Sequence, residues 1–190
     1  MRCLNYLFVV LLAALLVACA RDREPAEAAI KQAAQAIEQI RGEASRYAPD
    51  QFKQLEDSLK TTQDSFAKKD YKAALDAATN LGVKAQEVAK AAADKKAELK
   101  KSWDDMSAGI PQMMQAIKGR LEILAHAKKL PAGMDKDKLA ALTSGYDDAV
   151  KQFQEAKDAA GAGDPAKAIE VGNAVKQKSM EIATTLGLRQ

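Results

Sequence analysis

The chain has 190 residues, 29% of them charged and 5% aromatic, with a formal net charge of +3. Its 29 basic and 26 acidic side chains are interspersed, which argues against the one-sided basic face of a nucleic-acid binder. One histidine and two cysteines are too few for a structural metal site, and the dominance of Ala, Lys, Gln, Glu and Leu predicts an all-α fold.

The N-terminal segment carries one early charge, Arg2, then an apolar run from Leu4 to Val17, then Ala18 and Cys19. A basic start, an apolar core and small residues at its end form an export signal. About 14 apolar residues are too few for a membrane-spanning helix, which needs about 20. Residues 1–18 are therefore expected to be a cleaved signal and residues 19–24 a short tether. Leu16-Val17-Ala18-Cys19 resembles the lipobox of bacterial lipoproteins. In that family the thiol is alkylated with diacylglycerol, the chain is cut before the cysteine, and the new amine is acylated. The resemblance implies that Cys19 is the first residue of the mature protein and its membrane anchor. Because Ala20 rather than Asp follows, it also implies the periplasmic face of the outer membrane. Cys3 falls in the cleaved segment, so no disulfide is expected.

Six helices are predicted. The first begins near Pro25, carries Ile30, Ala33, Ala34, Ile37, Ile40 and Ala44 on one stripe, and ends at Ala48-Pro49. The second starts at Pro49 and turns Phe52, Leu55, Leu59 and Phe66 inward, with Thr62 among them. Asp70 is the expected N-cap of the third, whose stripe runs from Ala74, Ala78, Leu81, Ala85 and Val88 on through Trp103 and Met106. Gly109-Ile110-Pro111 is expected to stop it. A fourth helix follows from about Pro111 to Lys129, and a fifth from about Asp135 to Ala160. Asp164 and Pro165 open the sixth, which ends near Gly187. No window alternates with period two, so no strand is expected. The predicted architecture is an antiparallel helical bundle of two three-helix units, residues 25–108 and 111–187.

An internal repeat supports that division. A shift of 94 residues sets Phe52 on Tyr146, Leu59 on Phe153, Asp70 on Asp164 and Val88 on Ile182 without a gap. A shift of 87 pairs Ile30-Lys31 with Ile117-Lys118 more weakly. Tyr47-Ala48-Pro49, Phe52, Leu59 and Asp70-Tyr71-Lys72-Ala73-Ala74-Leu75 resemble a helical-hairpin domain of unknown function common in proteobacterial envelope lipoproteins. The likeness covers roughly residues 47–92 and implies a fold and a location, with no catalytic residues.

Chemistry-bearing groups are sparse. His126 reads as an exposed residue favoured by a helix C-terminus. Asp104-Asp105 and Asp147-Asp148 point about 100° apart on a helix and read as solvated. Ser102, Ser107, Ser144 and Ser179 read as helical rather than as nucleophiles in a strained turn. No enzyme activity, cofactor or metal is expected. Lys90, Lys95, Lys96, Lys100 and Lys101 alternate with Glu87, Asp94, Glu98 and Asp104 and read as an exposed, ion-paired helix. Trp103, Met106, Ile110, Met113 and Met114 read as core, with an adaptable apolar interaction patch as the competing reading. The expected function is a lipid-anchored periplasmic module of the envelope. It would be structural or protein-interacting, joined to the membrane through Cys19 and partnered by an envelope protein or murein. The alternative is a carrier or chaperone for lipid or unfolded protein, using a patch near Trp103 and Met113.

Overall fold

The computed structural model describes residues 22–188; the expected signal, residues 1–18, and Cys19 lie outside them. Five helices and no strand occur among the described residues: α1 Arg23–Tyr47, α2 Pro49–Ala67, α3 Tyr71–Ala125, α4 Lys136–Gly161 and α5 Pro165–Thr185. The protein is all-α. Its chain divides into two compact units at Lys95/Lys96, each built from three helical segments.

In the first unit, Pro49 occupies the first position of α2 directly after Ala48, whose φ of −142° turns the chain out of α1. Arg41 of α1 reaches α2, with its Nη1 2.7 Å from Glu56 Oε1 and its guanidinium 5.3 Å from the Phe52 ring centroid. The core is small-grained. Ala26, Ala33, Ile37, Ala44 and Tyr47 from α1 are buried, as are Phe52, Leu55 and Thr62 from α2. Ala74, Ala78, Leu81, Ala85, Val88 and Ala92 complete it from α3. Thr62 is tolerated there because its hydroxyl donates to the Ser58 carbonyl at 2.8 Å.

The second unit buries larger side chains. Trp103, Ile110 and Met114 of α3 pack with Ala149, Phe153 and Ala156 of α4 and with Ala168 and Val175 of α5. Ile117, Leu121 and Leu124 continue the stripe against Ile182, Ala183 and Leu186. Gly172 is dictated by this packing. A Cβ there would lie 2.7 Å from Met106 Cε and 2.8 Å from Trp103 Cζ3.

The expected break at Gly109-Ile110-Pro111 does not occur: α3 continues through Pro111 for 55 residues, so five helices replace six. A proline inside a helix costs about 3 kcal/mol. Ile110, Met114 and Ile117 on either side are 2%, 6% and 0% exposed, and burying each contributes about 1.5–3 kcal/mol. Continuing the helix keeps all three in one stripe, so packing outweighs the proline. The division falls instead between Ala92, the last buried α3 residue of the first unit, and Trp103, the first of the second. The intervening turns are charged and largely exposed.

The repeat is visible bond for bond. Lys68, Lys69 and Asp70 donate backbone N–H groups to the carbonyls of Asp64, Phe66 and Ser65. Ala162, Gly163 and Asp164 donate to Asp158, Ala160 and Ala159, each 94 residues on. Both turns place one residue in the left-handed region, Lys69 at φ 67° and Gly163 at φ 79°. Both then cap the next helix, Asp70 Oδ1 accepting from Ala73 N at 3.3 Å and Asp164 Oδ1 from Lys167 N at 3.1 Å. The buried α3 positions of the first unit (74, 78, 81, 85, 88 and 92) map onto 168, 172, 175, 179, 182 and 186, all buried. For α1 the burial pattern corrects the expected shift of 87. A shift of 77 sets Ala26, Ala33, Ile37, Ala44 and Tyr47 on Trp103, Ile110, Met114, Leu121 and Leu124, every one of them buried.

Candidate functional site

Interior packing decides the reading of Trp103, Met106, Ile110, Met113 and Met114. Trp103 is 6% exposed, its ring 6.2 Å from that of Phe153, and Ile110 and Met114 are buried with it. Met106 and Met113 are half-buried against the same cores. The competing interaction patch is therefore corrected: these residues fill the second unit because α4 and α5 cover the stripe.

The charged turns of α3 behave as an exposed, paired surface. Lys90 Nζ lies 2.6 Å from Asp94 Oδ2 and Lys100 Nζ 3.3 Å from Asp104 Oδ2, each one helical turn apart. Pairs this exposed contribute little to stability individually. His126 is exposed just beyond α3. Among the described residues no group of three His, Cys, Asp or Glu side chains is placed to hold a metal ion. The resolved protonation shifts are those of exposed ion pairs and of one packed tyrosine. Burial first, then the charges of Asp147 and Glu122, push the Tyr146 phenol above its ordinary value.

Concave surface lies between helices of the first unit. Two clefts run between α2 and α3, one lined by Gln54, Leu55, Lys84 and Glu87, the other by Asp57, Thr61 and Lys84. A third, of ≈ 420 Å³, runs between α1 and α3 and differs in character. Its apolar lining is Ala29, Ala33, Ala36 and Ile40 from α1 with Ala78, Gly82, Ala85 and Ala89 from α3. Gly82 leaves it open, since a Cβ built there meets nothing within 4 Å. Reasoning from large apolar side chains passed over this groove. The signal that could have found it is the recurrence of Ala beside uncharged Gln32, Gln39 and Gln86 in an otherwise charged chain.

No helix of the described residues is long and apolar enough to cross a membrane. No protein-family profile, curated protein or solved structure matches the chain. The likenesses to lipoproteins and to the envelope hairpin domain rest on the residues quoted for them.

Proposed function

We propose that this is a lipid-anchored protein of the bacterial envelope whose helical units serve as a protein-interaction module on the periplasmic face of the outer membrane. The observation that carries the reading is Leu16-Val17-Ala18-Cys19 at the end of an apolar run of export length. Three acyl chains on Cys19 would hold the protein firmly, at about 0.8 kcal/mol per buried methylene. Helix α1 begins at Arg23, four residues past that cysteine, so it starts within about 14 Å of the anchor. Helices floored by alanine and faced by paired charges suit docking of another chain better than enclosure of a small molecule. Burial of Trp103 favours this reading over the carrier alternative, whose patch near Trp103 and Met113 would need that side chain at the surface.

Replacing Cys19 by Ala tests the reading. The wild-type protein is expected in the membrane fraction as an acylated chain beginning at Cys19, and the variant as an unacylated chain that keeps residues 1–18. A wild-type protein recovered in the soluble fraction without acyl chains, or a variant cut and acylated like the wild type, would overturn it.

A further inference from the structure

Sulfur is divided unequally between the two units. The sequence has no Met between Met1 and Met106 and no Cys beyond Cys19. Every methionine of the described residues (Met106, Met113, Met114, Met134 and Met180) therefore lies in the second unit. At the shift of 77 residues Met106 and Met113 stand where the first unit has Ala29 and Ala36. Access to these side chains is graded. Met180 is 37% exposed and Met114 is 6% exposed, whereas Met106, Met113 and Met134 are half-buried. A half-buried thioether is open to an oxidant from one side and holds core packing on the other. Met106 packs against the cluster of Trp103, Met114 and Phe153. Its methyl fills the space that a Cβ would take at Gly172, 2.7 Å from that point. Gly172 lies inside α5, so its amide is already bonded and has no hydrogen for a new oxygen. Met113 and Met134 pack against the cluster of Ile117, Leu121 and Ile182.

We propose that Met106, Met113 and Met134 form a reversible oxidation site, at which a peroxide loosens the second unit and leaves the first folded. With hydrogen peroxide, a sulfur lone pair takes one oxygen and the S–O bond forms. The O–O bond breaks, the other oxygen leaves as water, and the sulfur is oxidised by two electrons to a sulfoxide. That change turns a flexible apolar side chain into a polar one. The sulfoxide oxygen needs water or a donor, and against an apolar cluster it gains one only by pulling the side chain outward. A sulfoxide reductase reverses the step. The dithiol that supplies the two electrons becomes a disulfide, and the oxygen leaves as water. The first unit has no sulfur among its described residues to take up the oxygen. The chemistry requires neither the anchor nor a partner.

The test is graded exposure of the purified protein to hydrogen peroxide. Peptide mass spectrometry locates the sulfoxides, and hydrogen exchange follows the fold helix by helix. Met180 is expected to oxidise first, with exchange unchanged. Sulfoxides at Met106, Met113 and Met134 should then speed exchange in α4 and α5 by about tenfold or more, with α1 and α2 as protected as before. A sulfoxide reductase with dithiothreitol should restore the protection. Leucine has nearly the volume of methionine and no sulfur. The triple variant Met106→Leu, Met113→Leu, Met134→Leu should therefore keep α4 and α5 protected at the same peroxide dose, and Met180→Leu should not. Sulfoxides at all three positions with unchanged exchange would overturn the proposal. So would equal loss in both units, a triple variant as sensitive as the wild type, or protection that reduction fails to restore.

Discussion

The two units bury equal numbers of hydrophobic residues and fill them differently. Among the described residues each has fourteen such positions, of which eight are alanine in the first unit and four in the second. Where α1 has Ala26, Ala33 and Ala44, the matching segment of α3 has Trp103, Ile110 and Leu121. The opposite change appears on the facing helix, where Ala78 becomes Gly172 under the Trp103 ring. One helical register therefore supports two solutions. Close approach over small side chains leaves a groove beside α1, and interdigitation of large ones closes the interior.

The comparison can be broken at several points. Trp103→Ala removes the largest side chain of the second core and is expected to cost about 3–5 kcal/mol in denaturant unfolding. Hydrogen exchange should show the loss on α4 and α5, with α1 and α2 protected as before. Equal loss in both units would mean that their cores are not separate. Gly172→Ala should cost about 1–3 kcal/mol by overpacking against Trp103, more than the ~1 kcal/mol of helix propensity it gains. Made in the Trp103→Ala background the same change should become stabilising, a coupling that a double-mutant cycle reads directly.

Ser179 sharpens the comparison in the other direction. It is 1% exposed with no hydrogen-bond partner for its hydroxyl, and the first unit has Ala85 at that register. Ser179→Ala should raise stability by about 1 kcal/mol, the order of the cost of a buried unsatisfied group. An unchanged melting temperature would show that the hydroxyl is satisfied in solution. Lys69 holds the left-handed position that glycine holds in the second turn. Lys69→Gly relieves a strain of about 1–2 kcal/mol but loosens the unfolded chain, for a net gain of about 0.5 kcal/mol.

The smallest effect concerns pH. Tyr146 stands where the first unit has Phe52, and its phenol pKa is raised by burial, then by Asp147 and Glu122. The folded state therefore holds that proton more tightly than the unfolded state. This stability is complete below the ordinary tyrosine value of about 10 and is lost as pH rises through the folded one. Tyr146→Phe should flatten the alkaline limb of a melting-temperature profile and leave the neutral region unchanged. A limb of unaltered slope would place the alkaline sensitivity in another group.

Local signals made much of this fold legible before the structure. Asp70 and Asp164 cap helices because a short carboxylate meets a free backbone N–H, which needs no tertiary context. Pro49 and Pro165 start helices for an equally local reason. Pro111 misled because its effect is local while the reason it is tolerated, burial of Ile110, Met114 and Ile117 against distant helices, is not. The α1 register was missed because alanine looks alike buried or exposed; only its burial separates a shift of 77 from one of 87. The competing patch at Trp103 failed and the concavity beside Ala29 was missed for a related reason. Trp103, Ile110 and Met114 find cover within their own unit, whereas small side chains leave space that no composition records.

Intact mass spectrometry of the protein extracted from membranes tests the central claim most directly. The expected species begins at Cys19, lacks residues 1–18 and carries the mass of a diacylglyceryl group and one further acyl chain. A chain that retains residues 1–18, or one cut nearby with Cys19 unmodified, would contradict it.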